Sequence, residues 1–215
     1  MTRQYDLQVH TDASPCSSTP AKRVVAAATA AGLDGIVVTD HDTVANVAAV
    51  RELAPATVDV VSGVEVTTTQ GHLLALGVED APPMADPLDV IDWVHDHGGV
   101  AVLSHPFDTL RQWYDTDLPA IARAVDAVEG INSRCVLPQF NRRARSFAVA
   151  HGLPTTGGSD AHFPMEVGRA YTEVEGEGGL LDAIRRGDVR PAGRGGYLSG
   201  HAATKAHQFR TALSR

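Results

Sequence analysis

Short apolar runs of strand length alternate with stretches whose apolar residues recur at helical spacing, from Tyr5 to Arg186. Such alternation predicts parallel strands joined by helical crossovers, an α/β fold. Strands are expected at about 5–9, 35–39, 58–66, 72–78, 100–104, 127–131, 154–157 and 170–174, seven or eight in all and enough to close a barrel. The first helix takes Thr19 as its N-cap and Pro20 at its first position, stops at Gly32, and turns Val24, Ala28 and Ala31 toward the core. Further helices are expected at about 44–53, before His97 with Gly98 as its cap, at 138–151 and at 179–186. The stretch around Arg111 to Asp117 shows no period and reads as irregular. No repeat or composition break marks a boundary, so residues 1–215 read as a single domain whose tail, about 188–215, carries five cationic residues against one anionic.

With 43% hydrophobic and 20% charged residues the chain can bury a sizeable core. No run approaches the roughly 18 apolar residues of a membrane span, and Met1 to Gln4 lead directly into patterned sequence without the form of a secretory leader. Two cysteines, Cys16 and Cys135, are too few for a disulfide framework and read as free thiols in a reducing, cytoplasmic setting. Eighteen Lys and Arg against 26 Asp and Glu leave a charge of −8, which argues against binding along a long nucleic-acid backbone.

The polar residues change the picture by where they fall. His10, Asp40, His41, Glu65, His105, Asp160 and His162 each sit at or just past the C-terminal end of an expected strand, the edge where parallel barrels build their sites. Imidazole and carboxylate bind borderline-hard divalent ions, and the set exceeds what one ion needs. Two or three divalent cations are implied, of which Mn2+, Zn2+ and Fe2+ each suit the donors.

The strings Asp6-Leu7-Gln8-Val9-His10-Thr11, Thr39-Asp40-His41-Asp42, Gly63-Val64-Glu65, His72-Leu73-Leu74-Ala75-Leu76-Gly77, Ser104-His105-Pro106 and Gly158-Ser159-Asp160-Ala161-His162, in this order and spacing, closely resemble the polymerase and histidinol phosphatase (PHP) family. The stretch Glu129 to Asn132, the run Asn141 to Ala144 and the run Gly168 to Tyr171 resemble it too. The resemblance implies a distorted, TIM-like (β/α)7 barrel with a two- or three-metal site that hydrolyses phosphate esters through a metal-bridging hydroxide. It implies metal ligation by His10, His41, Glu65, His72, His105, Asp160 and His162, with Glu65 and Asp160 as the bridging carboxylates. Gln8, which stands where the family has a histidine, counts as an eighth candidate metal ligand, although its neutral amide is a poorer one than imidazole. Pro15 lies in a turn where the family often supplies an aspartate; Asp12 or Cys16 is the available substitute, and two metals are the simpler expectation.

Asp40 is expected to fix an imidazole tautomer, and His105 or His162 to assist the leaving oxygen. Among cationic groups for the phosphate, Arg134 is the first choice, followed by Arg169; Arg142 and Arg143 read as solvated helix arginines, and Asn132 as a hydrogen-bonding group within the site. His95, His97 and His151 suit helix ends, His201 and His207 belong to the tail, and Trp113 with Tyr114 has the makings of a lid. The expected substrate is a small phosphorylated metabolite or nucleotide. Alternatives are a 5′ to 3′ exonuclease on short oligonucleotides, a histidinol-phosphate phosphatase and, from another class, a catalytically weakened binding or assembly module.

Overall fold

The computed structural model describes residues 2–196; the tail positions His201 and His207 lie outside them. Nine strands form one sheet: β1 Arg3–Val9, β2 Gly35–Val38, β3 Asp59–Thr67, β4 His72–Leu76, β5 Val100–Ser104, β6 Ala127–Asn132, β7 Thr155–Gly158, β8 Ala170–Val174 and β9 Val189–Gly193. Their order is β7-β6-β5-β4-β3-β2-β1-β8-β9. Six helices pack outside: α1 Ala21–Ala31, α2 Val47–Leu53, α3 Pro87–Asp96, α4 Leu118–Ala124, α5 Pro138–His151 and α6 Leu180–Arg186. The α/β barrel is therefore present, but not all its strands are parallel. β4 runs antiparallel to both β3 and β5, and β8 and β9 run antiparallel to their neighbours.

The reversal at β4 has a local cause. Only Thr68 to Gly71 separate β3 from β4, too short for a helical crossover, so the chain must turn back as a hairpin. The reversal puts His72 at the start of its strand, on the same edge as the strand ends around it: His72 pairs with Ser104 and with Thr67 in register.

The sheet closes where the sequence concentrates its polar residues. Beyond β7, Ala161 bridges Val9 in parallel, with His10 N donating to Ala161 O at 2.9 Å and Ala161 N donating to Gln8 O at 3.2 Å. Toward the other end β8 and β9 fill the gap, and the Thr172 hydroxyl on β8 bonds both N and O of Gly157 on β7 at 2.8 and 2.9 Å. β7 and β1 approach so closely that a Cβ on Gly158 would stand 2.9 Å from Gln8 Cβ and 3.0 Å from Glu129 Oε1. Glycine is required there by space rather than by a turn.

Several local expectations change. Pro20, not Thr19, caps α1, and no side chain caps it, because the Thr19 hydroxyl donates to His162 O at 2.9 Å. α1 buries Ala21, Val24, Val25 and Ala28 and leaves Ala31 exposed. α4 and β9 were not anticipated: α4 is a single short helix after an irregular loop, and β9 lies in what reads as tail.

Candidate metal centre

At the closed edge, five anticipated imidazoles converge on two anticipated carboxylates. Around Glu65, on β3, His10 Nε2 lies 3.1 Å and His41 Nε2 3.4 Å from Oε2, while His72 Nδ1 and His105 Nε2 lie 3.2 and 3.1 Å from Oε1. Asp160 Oδ1 faces His10 Nε2 at 3.4 Å and His162 Nδ1 at 3.5 Å. The loops that deliver these groups are pinned by backbone bonds. Glu65 N donates to Asp40 O, and Asp42 N donates to Glu65 O, so the segment after β2 is stitched onto β3. His105 and Asp160 both have positive φ, 26° and 56°, a conformation that non-glycine residues adopt at a cost of about 1–3 kcal/mol each. Surrounding bonds hold them there: Glu129 accepts from His105 N at 2.8 Å, and Asp6 accepts from Ser159 N at 2.8 Å.

The hydrogen bonds set the histidine tautomers. The Asp40 carboxylate only accepts, so the Ser14 hydroxyl, 2.6 Å from its Oδ1, donates to it. Ser14 Oγ then accepts from His41 N at 3.0 Å and from His10 Nδ1 at 3.2 Å. The hydrogen of His10 is thereby fixed on Nδ1, leaving Nε2 to face the carboxylates. Asp40 thus orients His10 through Ser14, whereas the sequence suggested a partner for an adjacent imidazole. It also accepts from Thr11 N and from the Thr11 hydroxyl at 2.7 and 2.6 Å, folding the turn after β1. His162 Nδ1 donates to Asp160 O at 2.8 Å, which fixes the hydrogen on Nδ1 of that ring too.

Charge in the centre is uneven. Burial alone would raise the Glu65 carboxyl, but the facing His41 and His72, with contacts from His10 and His105, hold it well below the usual carboxylate range. Burial likewise opposes ionisation of Asp160, and Arg111, His10 and His162 overcome it and hold this carboxyl well below its usual range. Burial disfavours the charged form of His10, yet Asp160 and Glu65 raise it well above its ordinary value; His72 is raised through Glu65 in the same way. His41, His105 and His162 are lowered, by burial first and then by neighbouring cations.

Two residues at this site escaped sequence reasoning. Arg111, from the irregular stretch after β5, donates through Nη1 to Asp160 Oδ2, through Nε to Asp108 Oδ2 at 2.9 Å and through Nη2 to Asn132 Oδ1 at 3.3 Å. Glu129, on β6, accepts from His105 N and the Ser104 hydroxyl and from Asn132 Nδ2, and burial, then Asp160, pushes its carboxyl up to about 8. Glu129 opens the stretch that resembles the family, but no role followed from it; Arg111 had no signal, since its loop has no period.

The remaining anticipated groups divide. Asn132 stands in the centre, its Nδ2 donating to Gln8 Oε1, Glu129 and Asp160, its backbone clamped by Asn141. Gln8 therefore spends its amide oxygen on Asn132. Arg134 is buried and pairs through Nη1 with Glu166 Oε1 at 2.8 Å; Glu166 Oε2 in turn accepts from His162 N at 2.7 Å. The guanidinium named first for phosphate thus sits behind His162, in a pair closed to solvent. The main chain of Arg169 lies between Glu166 and Arg194. Arg143 stacks over Phe107 at 4.9 Å and His97 on Trp93 at 3.6 Å, both as packing. Tyr114 is buried, and its hydroxyl donates to His72 O at 2.8 Å; it works as a strut under β4 rather than as part of a lid.

The donor set fits divalent cations. His10 Nε2, His72 Nδ1 and His105 Nδ1 are buried without a hydrogen-bond partner among the described residues, although the first two face carboxylate oxygens. Nitrogens left so, against carboxylates, have the lone pairs and charge that a cation satisfies. Among the described residues, three groups bring candidate ligand atoms within 4.8 Å of one another: His41, Glu65 and His72; His10, Asp160 and His162; and His10, Cys16 and His41.

Comparison with known sequences agrees with this geometry. The PHP domain pattern matches residues 6–118, just over half of the chain, and a PHP-associated pattern matches residues 138–189. The chain belongs to the PHP family. This is a family of metal-dependent phosphoesterases. An uncharacterized protein of Methanocaldococcus jannaschii, MJ0417, is 32% identical over 117 residues, 52% of this chain and 49% of the relative, so the match spans about half of that protein's length. In fold, PsfC from Pseudomonas syringae PB-5123 superposes with a TM-score of 0.70 at 22% identity, covering 98% of this chain and 99% of PsfC. The lesion-specific endonuclease Q of Pyrococcus furiosus superposes with a TM-score of 0.65 at 15% identity, over 92% of this PHP chain and 60% of the endonuclease. At these identities the likeness is one of fold.

Proposed function

We propose that this PHP protein hydrolyses a phosphate ester of a small metabolite or nucleotide, with two divalent metal ions held by His10, His41, Glu65, His72, His105, Asp160 and His162. One observation carries the reading: two buried carboxylates face five imidazoles at 3.1–3.5 Å, and two of the facing nitrogens have no hydrogen-bond partner among the described residues. When bound, the metals supply Lewis acidity toward the phosphoryl oxygens and a nucleophile at neutral pH.

The chain itself supplies orientation and exclusion of water. Among the described residues of the centre, only His41, His72 and Arg111 keep appreciable side-chain exposure, at 22, 13 and 20%, so the phosphoryl group enters along their edge. Arg111 is the guanidinium placed to meet a phosphoryl oxygen there, with Asn132 setting its position. His162, its hydrogen fixed on Nδ1, keeps Nε2 for ligation or for the leaving oxygen. His105 Nε2 faces Glu65, and its Nδ1 is buried, which suits ligation better than proton delivery. Arg134 acts from behind, through Glu166, on the backbone of His162.

A second reading has its own support. Leu110 and Trp113, beside Arg111, are 64 and 44% exposed, and an exposed indole near a phosphate-binding edge can stack a base of a short oligonucleotide. Hydrolysis of nucleoside monophosphates, histidinol phosphate and a short oligonucleotide, each with added manganese or zinc, separates the readings. Turnover of a monophosphate supports the first, turnover of the oligonucleotide alone supports the second, and no turnover of any contradicts both.

A further inference from the structure

The turn after β1 carries a sulfur into the metal centre. Ser14 N donates to Thr11 O at 3.1 Å and Ser17 N to Ser14 O at 3.2 Å, two successive turns that reverse the chain just past His10. Asp40 locks the first turn through Thr11 and Ser14. The Ser17 hydroxyl donates to His162 O at 2.9 Å and ties the second turn to the far side of the centre. Between these anchors lies Cys16, 6% exposed, with its sulfur and one nitrogen each of His10 and His41 within 4.8 Å of one another. The His10 ring is 1% exposed, its Nδ1 is committed to Ser14, and its Nε2 has no hydrogen-bond partner among the described residues. Cys16 differs here from Cys135, whose sulfur lies 3.7 Å from Arg111 Nη2 and belongs to none of the three ligand groups.

We propose that Cys16 is a metal ligand, completing with His10 and His41 a position that takes a borderline-soft divalent cation, zinc in preference to manganese or magnesium. The inference rests on the metal-centre reading above and deepens it. In the binding step the Cys16 S–H bond breaks, its proton leaves to solvent, and the sulfur lone pair forms the bond to the cation; no electron is transferred. Thiolate is soft and favours zinc and its neighbours, whereas an oxygen-only ligand at this point of the turn would favour harder ions. Pro15 and Cys16 together therefore change the cation preference of this position rather than abolish it.

Cobalt(II) tests this directly, because a cobalt–thiolate bond has a near-ultraviolet charge-transfer band that nitrogen and oxygen ligands lack. The full chain, stripped of metal with a chelator, is titrated with cobalt(II) as wild type, Cys16→Ser and Cys135→Ser, with a thermal melt of each to confirm folding. The band is expected in wild type and in Cys135→Ser and lost in Cys16→Ser, which retains the visible cobalt bands of the other positions. X-ray absorption of the zinc-loaded wild type is expected to show sulfur scattering, a result independent of any variant. In Cys16→Asp, competition between zinc and manganese is expected to shift toward manganese. Cobalt bound with visible bands but no charge-transfer band overturns the Cys16 assignment and leaves the metal centre standing. A charge-transfer band that survives in Cys16→Ser overturns it as well. Failure to bind cobalt at all overturns both.

Discussion

The two carboxylates at the heart of the barrel sit in different company. Glu65 is faced by four imidazoles, delivered from β1, the segment after β2, β4 and the end of β5. Asp160 has His10 and His162 on one oxygen, while its other oxygen takes the Arg111 guanidinium and an amide hydrogen of Asn132. The first environment is exchangeable: an imidazole, unlike a guanidinium, can give up its proton and offer a lone pair to a metal. The second is partly fixed, because a guanidinium keeps its charge at any working pH and has no lone pair to ligate with. Glu65 must therefore be neutralised by cations that come and go, whereas Asp160 already holds one that stays. Gln8 and Asn132, both amides on the Asp160 side, fit this division.

The comparison breaks first at Glu65. Glu65→Gln removes the charge that gathers four imidazoles, and is expected to lower metal content and to cut hydrolysis by more than about 10³-fold; a variant that keeps its metal would erase the distinction between the two halves. Arg111→Met leaves the Asp160 carboxylate buried without its permanent cation, so the metal-free protein should lose about 3 kcal/mol, as for other broken buried pairs. Melts with and without zinc check this, and added metal should recover part of the loss.

A third test uses the support under Asp160. Asp6 accepts from the backbone N–H groups of Gln8, Ser159 and Gly168, and burial raises its carboxyl from 3.8 to about 6. Because its pKa is higher folded than unfolded, the native state holds the extra proton. Its contribution thus favours folding at low pH and is lost as pH rises from about 4 to about 6, by roughly 3 kcal/mol. Asp6→Asn should lack this term, so the stability difference from wild type, read from urea unfolding at several pH values, should vary across that window; a constant difference would count against it. The smallest expected effect is at Asp40→Asn, where His10 loses a firm tautomer through Ser14; zinc affinity measured by competition should fall by about 10-fold to 100-fold.

Much of this was legible in the sequence because strands end where apolar runs end, and His10, His41, Glu65, His105 and Asp160 fall at those ends. What was not legible depends on tertiary geometry. The run His72 to Leu76 is buried nearly throughout, so its pattern says strand but not direction, and the antiparallel turn is set by the shortness of the preceding loop. Arg111 reaches the centre from a loop without period, and only the fold brings it to Asp160, 49 residues on. Arg134 was the first choice for the phosphate because it stands just past a strand end, yet Glu166, on a short turn of helix that the sequence did not announce, holds it in a buried pair.

The most direct test of the Glu65-centred account is metal content by plasma mass spectrometry, read beside hydrolysis of a phosphomonoester and a phosphodiester, in wild type and His105→Ala. The account predicts about two metal equivalents in the wild type and activity that falls with the metal when one imidazole is removed. Under one equivalent after manganese or zinc addition, with no hydrolysis of either ester, would contradict it.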